Sequence, residues 1–134
     1  MKTRYLYEDV TDKIIRCFYS VYDELGPGYL ESVYEKALIY ELTKMGFKVE
    51  SQKQIQVHYK DVICGNFVAD IVVDNKIIIE IKAINCLLEI HEAQLINYLK
   101  ATGIEVGMLV NFGAEFEFRR KIFTKDYHEK QVSE

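Results

Sequence analysis

The period of the hydrophobic positions changes repeatedly along this chain, and each change marks an element. From Asp9 to Leu25, apolar residues fall at Val10, Ile14, Cys17, Phe18, Val21, Tyr22 and Leu25, the three-and-four spacing of a helix that buries one face. Gly26-Pro27-Gly28 ends it, because proline lacks the donor a helix ladder needs and glycine accepts the reversed angles of a sharp corner. A second helix follows from about Tyr29 to Met45, with Leu30, Val33, Tyr34, Ala37, Leu38, Leu42 and Met45 as its stripe and Gly46 as its stop. The period then falls to two. Val49, Ile55, Val57 and Tyr59 stand between polar residues, which predicts a long strand with one wet face. Tyr59-Lys60-Asp61 reads as a turn into a second strand, about Val62 to Val73, and Ile77 to Ala83 as a third. Leu87 to Ala101 returns to helical spacing and stops at Gly103, after which Glu105 to Phe112 and Phe116 to Phe123 read as two more strands. The helix between the third and fourth strands is long enough for a right-handed crossover, which makes those strands parallel within a mixed sheet. The tail from Thr124 to Glu134 is polar and reads as loose, with Tyr127 as an anchor.

Charge breaks this pattern in one place, Phe67 to Ala83, FVADIVVDNKIIIEIKA. Val, Ile and Phe fill both arms, the composition of central strands buried on both faces, yet Asp70, Glu80 and Lys82 sit among them. A carboxylate buried there is costly unless it is paired or bound to a cation. Alternation puts Glu80 and Lys82 on one face, with Ile79 and Ile81 on the other. The face of Asp70 depends on the turn. A two-residue turn at Asp74-Asn75 sets Asp70 opposite Ile79, whereas a three-residue connection, Asp74 to Lys76, or a bulge sets it opposite Glu80. The second arrangement is expected, because it brings the two carboxylates together with the lysine one step beyond. Such a group suits a hard cation such as Mg²⁺, which prefers oxygen ligands and keeps several waters when only one or two carboxylates hold it. The backbone carbonyl of Ile81 would be a third ligand, and Lys82 would hold or activate a water and stabilise developing charge. The bland alternative is an ion pair of Lys82 with Glu80 or Asp70, tolerated in the sheet.

Composition narrows the classes. The 134 residues fit one domain with its own core, and 49% hydrophobic residues, 28% charged and one proline are not those of a disordered or fibrous chain. A net charge of −4 argues against gripping nucleic acid by bulk charge and leaves a local basic patch as the means. Cys17, Cys64 and Cys86 are far apart and form no CxxC pair, so neither zinc nor a disulfide framework is suggested, and they read as buried thiols in a reducing compartment. The first residues, MKTRYLYEDVTDK, carry charge where a signal peptide needs an apolar core, and no window has the apolar length of a membrane span. A cytoplasmic protein with no membrane partner is expected.

The spacing D-(x)9-E-x-K on a hairpin resembles the core of the PD-(D/E)XK nuclease superfamily, with Ala69 where the name-giving proline would stand. Upstream, Gly28-Tyr29-Leu30-Glu31-Ser32-Val33-Tyr34 matches G-x-x-E-x-x-Y. With GPG before it and INYLKATG after the third strand, the chain resembles the GxxExxY family of that superfamily from about Val10 to Phe123. The resemblance implies an α/β, restriction-endonuclease-like core, αβββαβ, whose mixed central sheet is flanked by helices. It also implies hydrolysis of phosphodiester bonds in nucleic acid, with DNA favoured, using Mg²⁺ or Mn²⁺ held by Asp70, Glu80 and the Ile81 carbonyl. Carried over by position, Glu31 becomes the helix-borne acid that reaches the metal directly or through water. Its place in a first helical turn also suits the macrodipole, but its alignment with Tyr34 and Leu38 at i+3 and i+7 leads us to expect that it points inward. Gln94 matches a glutamine that borders the superfamily's site and would orient water or a phosphate oxygen. Tyr98, on the same helix face as His91 and Gln94, would hydrogen-bond to a site carboxylate; a helix capping a sheet also carries such residues at its rim without function. His91 is equally well explained as a structural histidine, and His58 and His128 look incidental. Arg119 and Lys121 share a face of the fifth strand, with Lys125 nearby, and form either a phosphate-binding strip or a solvated edge.

Two functions follow. One is a metal-dependent nuclease. The other is a catalytically silent nuclease fold acting through a protein partner or as a homodimer, which the acidic balance favours. Convergence of Asp70, Glu80 and Glu31 on one cavity, with Lys82 at its lip, would support the first; Lys82 lying across both carboxylates in a closed pocket would support the second.

Overall fold

Strands and helices fall where the periods change. The computed structural model describes residues 7–124, and Tyr5, Lys125, Tyr127, His128 and the expected loose tail beyond Thr124 lie outside them. The elements are α1 (Glu8–Leu25), α2 (Glu31–Lys44), β1 (Val49–Tyr59), β2 (Val62–Val73), β3 (Ile77–Lys82), α3 (Glu89–Thr102), β4 (Val106–Asn111) and β5 (Glu117–Ile122). The second helix starts two residues later than its apolar stripe suggests, because Leu30 is extended and Glu31 is the first helical residue. Among the described residues, no helix is long and apolar enough to cross a membrane.

The strands form one sheet in chain order, β1-β2-β3-β4-β5. Only β3 and β4 run parallel, through the crossover made by α3; the other pairs are antiparallel. Alternation along β3 sorts the core. Ile77, Ile79 and Ile81 enter a cluster with Ile14, Phe18, Tyr34 and Leu38 of α1 and α2, while Ile78 enters a second cluster with Leu95, Tyr98 and Leu99 of α3. Glu80 and Lys82, in step with Ile78, therefore belong to the α3 face. Burying such apolar area on both sides of the sheet supplies most of the drive to fold.

Two expected burials fail, and the reach of the elements explains both. The first half of β2 extends past β3 and pairs with β1 alone, so Cys64, Phe67 and Val68 are exposed and burial on both faces begins only at Ala69. Cys86 is likewise exposed, in the loop after β3, and only Cys17 is a buried thiol. On α2 the stripe is narrower than its sequence. Tyr34, Leu38 and Leu42 are buried, whereas Leu30, Val33 and Met45 face solvent.

The ends of the parallel strands are tied by Asn111, which is fully buried. Its Oδ1 accepts from the N–H groups of Ile84 (2.9 Å) and Gly113 (3.1 Å), and its Nδ2 donates to the carbonyls of Ile84 and Glu115, both at 2.9 Å. The loops after β3 and β4 are thereby drawn so close that a Cβ at Gly113 would stand 1.8 Å from the Ile84 carbonyl oxygen. Neither backbone can yield without breaking the Asn111 bonds. Gly113→Ala should therefore cost about 3 kcal/mol or more, read as a lower urea midpoint at unchanged m-value; a midpoint like that of the wild type would contradict this packing.

Candidate active site

The connection from β2 to β3 decides where Asp70 lies. Asp74 and Asn75 occupy the left-handed region, at φ 53 and 56°, and the Lys76 N–H closes onto the Val73 carbonyl at 2.8 Å, a turn geometry that asparagine and aspartate tolerate best after glycine. Lys76 is the odd residue: Val73 pairs with Ile77, Val72 with Ile78 and Ile71 with Ile79. That register sets Asp70 opposite Glu80, as the three-residue connection requires.

At this pair the sheet forks. Backbone pairing of β2 with β3 stops at Ile71 and Ile79, and side chains bridge the gap. The Asp70 N–H donates to Glu80 Oε2 at 3.0 Å, and the Ile81 N–H donates to Asp70 Oδ2 at 2.8 Å. Asp70 also drops out of the ladder on its other side. Ser51 pairs with Ile71 and Lys53 with Ala69, while Gln52 and Asp70 face each other unpaired. Gln52 is held at φ 52°, an unfavourable backbone for a residue with a Cβ. Its carboxamide Nε2 donates to both oxygens of Glu35 at 3.0 Å and to Asp70 Oδ1 at 3.4 Å. Ser51 Oγ adds a 3.0 Å bond to Glu35. The chain thus places two residues that sequence reasoning missed, Glu35 and Gln52, in line with Asp70.

Electrostatics mark the pair as unbalanced. Glu80 is only 5% exposed, and burial, then the charge of Asp70, push its pKa up to about 8 against the weaker pulls of the Asp70 N–H bond and then of Lys82. Burial also raises Asp70, opposed by its bond from Ile81 and reinforced by Glu35 and Glu31. Among the described residues no lysine or arginine lies within ion-pair distance of either carboxylate. Lys82 is near enough to oppose the Glu80 shift, yet it does not lie across the pair. The bland ion-pair reading therefore has no contact to rest on.

The other sequence-derived residues divide. Glu31 is exposed, contrary to the inward orientation expected from its spacing, because burial on α2 begins only at Tyr34; it acts on Asp70 and Glu80 through charge alone. Tyr34 instead turns back on the motif that contains it, accepting from the Tyr29 N–H (3.2 Å) and donating to the Gly26 carbonyl (2.6 Å). Gln94 and Tyr98 line a cavity of about 530 Å³ between α3 and the β1–β2 arm. The Tyr98 hydroxyl makes no hydrogen bond to a carboxylate among the described residues, although its pKa is raised by burial and then by Glu80 and Asp70. His91 serves α3 itself, its Nδ1 accepting from the Leu88 N–H at 3.0 Å. Arg119 and Lys121 share a face of β5, but both pair with Glu92 and Arg119 also with Glu117, so much of their charge is already matched.

The donor set fits a hard divalent cation. Each carboxylate spends one oxygen on a backbone N–H, which fixes its orientation and leaves Asp70 Oδ1 and Glu80 Oε1 as all-oxygen donors. No third acidic, histidine or cysteine side chain closes a cage with them among the described residues. Two carboxylates with water and substrate completing the shell is the usual arrangement for Mg²⁺.

A family model described as the PD-(D/E)XK nuclease superfamily matches residues 8–122. The chain belongs to the PD-(D/E)XK nuclease superfamily. Its five-stranded mixed sheet flanked by helices is that fold, and nucleases of the superfamily typically use divalent metal ions. Among solved structures, the crystal structure of SSO0001 is similar, with a TM-score of 0.50 and 20% identity over 94% of this chain and 73% of that one. At that identity the likeness shows the fold alone. Among curated proteins no match is found.

Proposed function

We propose that this protein is a divalent-metal-dependent nuclease of the GxxExxY type that hydrolyses phosphodiester bonds in DNA, with Mg²⁺, or Mn²⁺ in its place, as the ion. One observation carries the reading: Asp70 and Glu80 are buried together at the fork of the sheet, oriented by backbone N–H groups, and without a cationic partner among the described residues. A structural pair would be expected to come with its own neutralising group.

In this reading Asp70 Oδ1, Glu80 Oε1 and the Ile81 carbonyl hold the ion, and exposed Glu31 joins through water. The ion, when bound, supplies Lewis acidity at the scissile phosphate and lowers the pKa of a water. Lys82 offers its ammonium to the attacking water and to charge developing on the phosphoryl oxygens. Gln94 orients that water or a phosphate oxygen from the cavity wall, and Tyr98 borders the substrate. Gln52 keeps Asp70 aimed. Arg119 and Lys121 guide the nucleic-acid backbone only to the extent that Glu92 and Glu117 release them. Those matched charges, on a chain of net charge −4, favour the second reading, a nuclease fold acting as a homodimer or on a protein partner.

Calorimetric titration of Mg²⁺ and Mn²⁺ into the metal-free protein tests the choice. Binding to the wild type and its loss in Asp70→Ala is the expected result. Equal binding by both would remove the hairpin as the metal centre.

A further inference from the structure

The cavity beside the carboxylates has a chemistry of its own. Gln56 and His58 on β1, Phe67 on β2, and Gln94, Asn97, Tyr98 and Lys100 on α3 supply its functional surface. Among the described residues no acidic one lines it, although the chain is acidic overall. Its volume, about 530 Å³, lies within the range of pockets that enclose a small organic ligand. Phe67 remains 44% exposed while touching Tyr98, ring centroids 5.8 Å apart and planes tilted by 42°. The exposed part of Phe67 offers aromatic surface to a third ring. A Cβ at Gly65 would stand 3.0 Å from Phe67 Cε2, so a side chain there would push the ring by a few tenths of an ångström. The carboxamides of Gln56 and Asn97 add paired donors and acceptors to the same lining as Phe67, which is how the edge of a heteroaromatic ring is read. Lys100 at the wall suits an adjoining phosphate.

Position links this cavity to the cleavage chemistry. Tyr98 forms one wall, and its hydroxyl lies within electrostatic reach of Glu80 and Asp70. A base stacked inside a duplex cannot enter such a recess; an unpaired one can. We propose that the cavity is a base-binding subsite, in which an unpaired nucleobase stacks on Phe67 beside the bond to be cut, making single-stranded or locally unpaired nucleic acid the substrate class. This inference rests on the nuclease reading for its substrate, but its test does not depend on cleavage.

The experiment uses the full chain at low salt in EDTA, with short single strands carrying 2-aminopurine, in DNA and RNA versions, and the matching blunt duplexes. Quenching of 2-aminopurine on binding, and at least about tenfold tighter binding of a single strand than of duplex, are expected. Phe67→Ala should weaken single-strand binding by about tenfold or more, the cost of one lost base–aromatic stack, and Phe67→Trp should keep it; preference between the DNA and RNA strands identifies the sugar. Unchanged binding by a folded Phe67→Ala, or equal binding of duplex, overturns the subsite. If Asp70→Ala still abolishes metal-dependent cleavage in that case, the nuclease reading survives alone. Absence of binding by the wild type to any strand overturns the subsite directly.

Discussion

Asp70→Ala is expected to lower metal-dependent cleavage by at least about 10³-fold, and Lys82→Ala by about 10²- to 10³-fold, but the two variants should fail differently. Removing the Asp70 carboxylate deletes one of the proposed metal donors, leaves the Ile81 N–H without its acceptor and frees Gln52 from its bond to Asp70. Metal affinity and cleavage should fall together. Lys82 makes no ion pair with the carboxylates among the described residues, so its loss should leave metal binding in place while removing the ammonium proposed to stabilise charge on the phosphoryl oxygens. Parallel calorimetry and oligonucleotide cleavage rates separate the cases. Cleavage at the wild-type rate by both variants would end the nuclease assignment, and loss of metal binding in Lys82→Ala would place the lysine in a different role.

In metal-free buffer the protein should lose stability as pH rises from about 4.5 to about 8. The folded protein keeps a proton on Glu80 up to about 8, whereas an unfolded glutamate releases it near 4.5. Between these values the unfolded chain binds fewer protons than the folded one, so the stability contribution is complete below the lower value and disappears as pH passes the upper. Asp70, raised mainly by burial, acts in the same direction. The loss is on the order of a few kcal/mol. Glu80→Gln should flatten the profile, because a carboxamide oxygen can still accept from the Asp70 N–H without becoming charged. Saturating Mg²⁺ should restore the wild type most at high pH, where both carboxylates ionise. Scanning calorimetry across this window, in EDTA and then in Mg²⁺, measures the effect; an equally steep profile in Glu80→Gln would show that another group is responsible.

The sequence was most informative where neighbouring residues decide the outcome. Helix α3 was enough to make β3 and β4 parallel, because crossover length is a property of the chain itself, whereas the turn at Asp74 allowed two parities, and the cost of separating two buried carboxylates, not the turn residues, favoured the one that sets Asp70 opposite Glu80. What could not be read was how far each element reaches past its partner. Phe67, Cys64 and Leu30 have core composition, yet their elements outrun the packing, and they face solvent. Glu31 and Glu35 lie one turn apart on the same side of α2, both act on Asp70 by charge, and no local signal says that Glu35 is the one tied to it through Gln52. Gln52 was hidden for a different reason: nothing but a glycine or asparagine advertises a left-handed backbone, and here a glutamine adopts one in mid-strand. Asn111 passed as an ordinary end-of-strand residue because its four bonds reach across to a loop 27 positions earlier, as well as to its own neighbours.

The distortion at Gln52 also bears on how copies of the protein meet. At 11 residues β1 is a long strand, and it forms one border of the sheet, a row of outward N–H and C=O groups on which another chain could template itself. A residue at φ 52° in that row turns its peptide out of line and divides the border into two short runs, each a poor template for continuous intermolecular pairing. The same kink that carries a carboxamide to Glu35 and Asp70 thus guards the open flank of the sheet against aggregation.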